Sequence, residues 1–314
     1  MKIVIGGAQR SGTSLLRSIV GSHSKVAMFP YDLRLWTYFG ARHSGQNLSL
    51  EQAESLLRGI LSDKKALMAD VLPTVDEVQA LLSQSEIEGL TANQVFDCFL
   101  EAYASRRGKP WWGLKTPWNE FYAGEILENL ADVVFLQIMR NPLDSAASAK
   151  HVEGGSWFYD PFSHIDRWRR SAQASRKNVE LYPGRYHVVR YEDLAADPAG
   201  TARNLCNQIG LEYEEGMELG LKQPGWPGSN SSFVASVGSS RPLKKRTIPH
   251  YLRTVYNYEL AEEMRALDYE ENSSVRKPNP FHLLLSACHK IWLAIIYFLI
   301  RFKKSIVDLR PRAG

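Results

Sequence analysis

The segment Gly7-Ala-Gln-Arg-Ser-Gly12-Thr13-Ser14 sets two glycines four residues apart and follows the second with two hydroxyls. That is the spacing of a loop whose backbone amides cradle an oxyanion at the positive end of the next helix. Thr13 stands where a nucleoside triphosphatase carries the lysine that reaches the β- and γ-phosphates, so triphosphate chemistry lacks its cation. Arg10, inside the loop, offers the same anion a bidentate guanidinium instead. Ser11, Gly12, Thr13 and Ser14 complete the cradle. The competing bland reading is a glycine turn with a solvent-facing arginine. A second cluster, Arg140 through Ser148, puts an arginine at a strand end and a serine two turns into the next helix. Ligands of open parallel sheets bind outside the carboxyl ends of strands, so this pair is suited to a second phosphate, separate from the first.

Such groups need elements that hold them. Ile3-Val4-Ile5 reads as a buried strand, and Leu15, Leu16, Ile19 and Val20 have helical spacing, giving strand, glycine loop, helix. Val133 to Ile138 and Tyr186 to Val189 read as two more buried strands, the first ending at Arg140 and the second at Arg190-Tyr191-Glu192-Asp193. Between the first strand and Val133, Ser49-Leu-Glu-Gln52, Thr74-Val-Asp-Glu77 and Thr91-Ala-Asn-Gln94 each match the capping box, which predicts three helix starts. Strands alternating with helices predict an α/β, P-loop-like, three-layer fold with a central, mainly parallel sheet. Pro224 to Ser240, rich in glycine and serine, reads as a long loop.

The 314 residues, 44% hydrophobic and 23% charged, are ordinary globular composition, which excludes disorder and a disulfide scaffold. Arg301, Lys303, Lys304, Arg310 and Arg312 against Asp308 account for the whole formal net charge of +4. Without a basic face spread over the rest of the chain, nucleic acid is not an expected partner. Cys98, Cys206 and Cys288 are far apart and predict neither a disulfide framework nor a metal cluster. No charged leader with an apolar core precedes the first strand, so a cytoplasmic protein is expected. Near the other end, Ile291 to Ile300 is unbroken apolar sequence. It spans only about 15 Å as a helix, half of a hydrocarbon core. Three readings compete for this segment: a core helix, a homodimer helix, or a helix lying on a membrane surface through residues 281–312. The last is the one we expect, with the protein at the inner face of a membrane near a lipid-linked acceptor.

In their order and separation these motifs resemble those of sulfotransferases that use 3′-phosphoadenosine 5′-phosphosulfate, in the bacterial and Golgi-type carbohydrate and protein-tyrosine branch. Gln9 to Leu15 resembles their 5′-phosphosulfate loop, and Arg140 through Ser148 their 3′-phosphate motif. Trp112-Gly113-Leu114-Lys115-Thr116-Pro117 is similar to the lysine-containing motif of that branch, Arg190 to Leu194 with Asp197-Pro198 to a later strand end, and Asn230-Ser231-Ser232-Phe233 to a block near the cofactor. The resemblance covers residues 3 to about 270. It implies a sulfotransferase domain over residues 1–275 with a helical insertion at about 41–108, followed by an apolar helix and basic tail at 276–314. It also implies sulfuryl transfer to a hydroxyl of a carbohydrate, glycolipid or small molecule, without a metal. Cofactor binding falls to Arg10, Ser11, Gly12, Thr13, Ser14, Arg140, Ser148, Ser231 and Lys244. Catalysis falls to Arg10, to Lys115 at the leaving oxygen, and to Asp32 as base, since Asp32 with Arg34 repeats a glutamate and arginine pattern with a shorter acid. His23, His43 and His151 are the alternative bases. A P-loop nucleotide kinase and a nucleotide-binding module without catalysis are the competing functions.

Overall fold

The computed structural model describes residues 1–43, 45–83, 90–152, 160–222, 247–269 and 277–308. Strands β1 (Lys2–Gly6), β2 (Val26–Met28), β3 (Trp111–Lys115), β4 (Val133–Met139) and β5 (Tyr186–Arg190) form one sheet in the order β2-β3-β1-β4-β5, every pairing parallel. The α/β class with a parallel sheet is the one expected, and two of its strands, β2 and β3, go beyond those read from the sequence. β2 has only three residues, and Gly113 interrupts the apolar run of β3.

Side chains alternate across β1 because successive strand residues face opposite ways. Val4 points into one core with Phe29, Trp36, Phe96, Phe99 and Phe135. Ile3 and Ile5 point into another with Leu16, Ile19, Leu136, Ile138 and Val189. The second core includes helix α1 (Thr13–Gly21), and the first includes α2 (Leu50–Leu61), α3 (Val75–Leu82), α4 (Ala92–Arg106) and α5 (Ala123–Asn129). α2, α3 and α4 start at Ser49, Thr74 and Thr91 as predicted, each with both hydrogen bonds of its capping box. The remaining helices are α6 (Pro142–Val152), α7 (Pro161–Leu181), α8 (Tyr191–Ala196), α9 (Pro198–Ile209), α10 (His250–Glu259), α11 (Ala261–Ala266) and α12 (Pro280–Asp308).

The chain divides into two compact units. The first comprises Met1–Arg140 and Ser171–Lys244, and holds the whole sheet; the second comprises Asn141–Arg170 and Lys245–Gly314. Within the second, Trp168 is fully buried against Tyr269. His164 accepts or donates at both ring nitrogens, to Ser145 Oγ at 3.2 Å and Tyr256 Oη at 3.0 Å. Burial pushes its imidazole down to about 3, so this histidine is a neutral core group.

Candidate active site

The loop after β1 is shaped by backbone that other residues do not readily adopt. Gly7 has φ 140° and Gly12 φ 102°, in the left-handed half of conformational space. A Cβ would stand 2.5 Å from Ile138 O at Gly7 and 2.5 Å from Tyr191 Cδ2 at Gly12, so both glycines are required twice over. Arg10 itself sits at φ 68°, an uncommon conformation for a residue with a side chain. Gly12 caps α1 without a side-chain hydrogen bond, so no capping oxygen from the N-cap competes for the first amides of the helix. Ser11 is fully buried and its Oγ has no hydrogen-bond partner among the described residues.

Glu120 fastens this loop from below. Its carboxylate accepts from the Gly7 amide at 2.7 Å and from Ser171 Oγ at 2.8 Å. Burial pushes the Glu120 carboxyl up, and the Ser171 and Gly7 hydrogen bonds pull it back. The following turn is tied to the same place, with Trp118 N donating to Gly7 O at 3.3 Å and Thr116 N to Ile5 O at 3.2 Å.

Lys115 ends β3 beside this loop, only 2% exposed, and its Nζ contacts Ser14 Oγ at 3.3 Å and Asp32 Oδ1 in a close ion pair. Asp32 lies in the segment after β2, and its side chain is 41% exposed. The same Oδ1 lies 3.6 Å from Arg17 Nη1, a guanidinium held at depth by a 2.6 Å bond to Pro30 O. Both cations therefore meet one oxygen of Asp32. Burial pushes the Lys115 ammonium down to about 8, Asp32 drawing it back up and Arg17 adding to the fall. The arginine beside Asp32 is thus Arg17 and not Arg34, which is exposed and stacks on Tyr38 with Cζ 4.7 Å from the ring centre.

Arg140 follows the last residue of β4. Its Nη1 donates to Arg10 O at 3.3 Å, and its Cζ lies 4.1 Å above the Tyr191 ring. Tyr191, at the start of α8, also abuts Gly12, so one aromatic plate touches the phosphate loop and orients the second arginine.

The carboxyl ends of the strands thus bring together the loop residues Arg10, Ser11, Gly12, Thr13 and Ser14 with Asp32, Lys115 and Arg140. Ser148 is buried on α6, in the second unit. Ser231, Lys244 and the whole of Pro224 to Ser240, including the Asn230 to Phe233 block, lie outside the described residues. Of the alternative bases, His23 has both ring nitrogens engaged by backbone, at Glu212 O (2.9 Å) and Lys25 N (3.1 Å). Arg17, Glu120 and the loop-facing role of Tyr191 were not legible: Arg17 sits among apolar helix positions, and nothing local marks Glu120 as a buried acid.

Comparison with known proteins places the chain in a family. A family model described as "Sulfotransferase family" matches residues 2–215. Among curated proteins no sequence relative matches. Among solved structures, the sulfotransferase domain from the Synechococcus PCC 7002 olefin synthase is similar at 20% identity with a TM-score of 0.50, over 86% of this chain and 96% of that one. A sulfotransferase from Alicyclobacillus acidocaldarius gives 16% and 0.47, over 88% and 98%. The mouse sulfotransferase SULT7A1 complexed with PAP gives 12% and 0.47, over 85% of each chain. At such identities the structural likeness is one of fold.

Proposed function

The chain belongs to the sulfotransferase family, and from that premise we propose that it moves a sulfuryl group from 3′-phosphoadenosine 5′-phosphosulfate to a hydroxyl of a carbohydrate, glycolipid or small-molecule acceptor. The donor set supports such a co-substrate: a glycine cradle that no Cβ fits, the buried hydroxyl of Ser11, and two arginines. Arg10, Ser11, Gly12, Thr13 and Ser14 would hold the 5′ end, and Arg140 the 3′-phosphate. When bound, the nucleotide supplies the sulfuryl group and a phosphate leaving group.

The observation that carries the reading is the position of Lys115, in contact with both Ser14 and Asp32. An ammonium there donates a hydrogen bond to the oxygen that takes up charge as its bond to sulfur breaks, without needing a metal. Asp32, part-exposed beside Lys115, takes the hydroxyl proton as the new oxygen–sulfur bond forms. Arg17 holds Asp32 in place from the other side while remaining buried. Arg10 offsets charge on the group in transfer.

Incubation with sulfur-labelled cofactor and a cell extract tests the proposal. A labelled ester on a hydroxyl of an isolated product is the expected outcome. Tight nucleotide binding without any labelled product would make the protein a binding module, and phosphate transfer from a nucleoside triphosphate would make it a kinase.

A further inference from the structure

Among the described residues no helix is long and apolar enough to cross a membrane. α12 nevertheless leaves a large apolar surface in water. Its inner side packs within the second unit: Leu293 is buried, His289 bonds Tyr251 Oη at 3.0 Å, and Lys290 lies 4.5 Å from the centre of the Phe162 ring. Its outer side carries Phe281 (63% exposed), Leu284, Ile291 (62% exposed), Trp292 and Ile295. Successive steps of three, seven, one and three residues keep these positions within about 100° around the helix axis, on one stripe. Exposed apolar stripes of this size mark an interaction surface.

Charge selects the partner. In the sequence the stripe is followed by Arg301, Lys303, Lys304, Arg310 and Arg312, which against Asp308 account for the protein's formal net charge of +4. A second copy laid on the stripe brings another cationic segment on a body of zero formal net charge, and so offers these cations no net attraction. An anionic lipid surface turns the same charge into attraction while taking the apolar stripe out of water. Trp292 suits the headgroup boundary, where amphipathic rings concentrate. We propose that α12 is a membrane-docking helix that lies in the plane of an anionic bilayer surface, its outer stripe in the acyl boundary, with the cationic sequence after it supplying attraction to the anionic lipid. The inference goes beyond sulfuryl transfer and is read without turnover, so its failure leaves the catalytic reading untouched.

The test is flotation of the full chain with vesicles of phosphatidylcholine alone and of phosphatidylcholine with phosphatidylglycerol. Wild type is expected to float with the anionic vesicles in low salt and much less with the neutral ones. Ile291→Glu/Ile295→Glu, at two exposed positions, is expected to abolish flotation while leaving the folded circular dichroism spectrum and melting intact. Arg301→Gln/Lys303→Gln/Lys304→Gln is expected to weaken binding roughly fivefold per cation on anionic vesicles only. Absence of wild-type flotation in low salt overturns the proposal. So does flotation unaffected by both sets of substitutions, or a wild-type dimer that the double glutamate variant converts to monomer without any vesicle binding.

Discussion

The strand-end cluster and the capped helices α2, α3 and α4 satisfy their polar groups in opposite ways. In the helices, each cap is closed by a partner three residues along the chain: Ser49 with Gln52, Thr74 with Glu77, Thr91 with Gln94. At the strand ends, Lys115 meets Asp32 and Ser14, Glu120 meets Gly7, and Arg140 meets Arg10, all from distant parts of the sequence. Local partners fix one element and little else. Distant partners bring buried charge to a single place, which is costly unless it is matched and is useful when charge moves during a reaction. The contrast makes a prediction of kind: substitutions at the strand ends act on turnover and binding, whereas substitutions at the caps act on stability alone.

The largest effects are expected at Lys115 and Asp32. Lys115→Ala and Asp32→Asn should each lower turnover by roughly 10² to 10⁴ while nucleotide affinity, measured by calorimetry, changes little. The pH profile adds a sign. Only the protonated Lys115 brings positive charge and a charge-assisted hydrogen bond to a leaving oxygen, and burial sets its ammonium at about 8, so wild-type turnover should fall as pH rises through about 8. Asp32 is the neighbour that holds that value up. In Asp32→Asn the basic limb of the residual activity should therefore move to lower pH. A limb that stays in place would separate Lys115 from Asp32 functionally, and near wild-type turnover would remove Asp32 from the role of base.

Next comes Arg140. Its guanidinium is already stacked on Tyr191 and tethered to the loop, so little ordering remains to be done on binding. Arg140→Ala should weaken binding of 3′-phosphoadenosine 5′-phosphate by about 1.5 to 3 kcal/mol, as loss of a charge-assisted contact does. The nucleotide lacking the 3′-phosphate should bind wild type and variant alike. Equal affinity of wild type for both nucleotides would break the assignment.

These contrasts also explain what could be read without coordinates. The three caps, β1 with its glycine loop, β4 and β5 were legible because their signals lie within a few residues: periodicity, a hydroxyl and an acid or amide at fixed spacing, a run of β-branched residues. Arg10, Lys115 and Arg140 were legible as candidates because each sits beside such a signal. The pairing of Asp32 with Arg17 was not, since Arg17 lies on α1 and only the parallel register of β1, β3 and β2 carries the two together. Glu120 was hidden for the same reason, being reached by Gly7 and Ser171 from far along the chain.

Glu120 yields a smaller effect. Glu120→Gln keeps an acceptor for Gly7 but places an amide donor toward Ser171 Oγ, which already accepts from Gln137 Nε2 at 3.0 Å. The expected cost is about 1 to 2 kcal/mol of stability, with weaker nucleotide binding because the loop loses its fastening. The sign of the pH dependence follows from the raised Glu120 carboxyl. A carboxyl raised in the folded state contributes stability that is full below its unfolded value and is lost as pH rises through its folded value. Glutamine has no such loss, so the melting difference between wild type and Glu120→Gln should narrow as pH rises. A difference that widens would mean that the ionised carboxylate is the form the loop requires.

The smallest effect is expected at Ser49, and it defines the other side of the contrast. Its hydroxyl accepts from Gln52 N at 3.2 Å, and Gln52 Oε1 accepts from Ser49 N at 2.8 Å, both at the surface. Ser49→Ala removes the first bond and leaves the second, so α2 should lose about 1 kcal/mol. In a chain with a sheet and helices of this extent, that lowers the melting temperature by only a few degrees. Turnover and nucleotide affinity should stay at wild-type values, because among the described residues α2 joins the core through Leu56, Leu57 and Ile60, and a cap change at the first turn leaves those side chains in place. A tenfold fall in turnover without a matching loss of stability would show that this helical layer steers Asp32 or Lys115, and the division between locally closed and distantly closed elements would then fail as a guide to function.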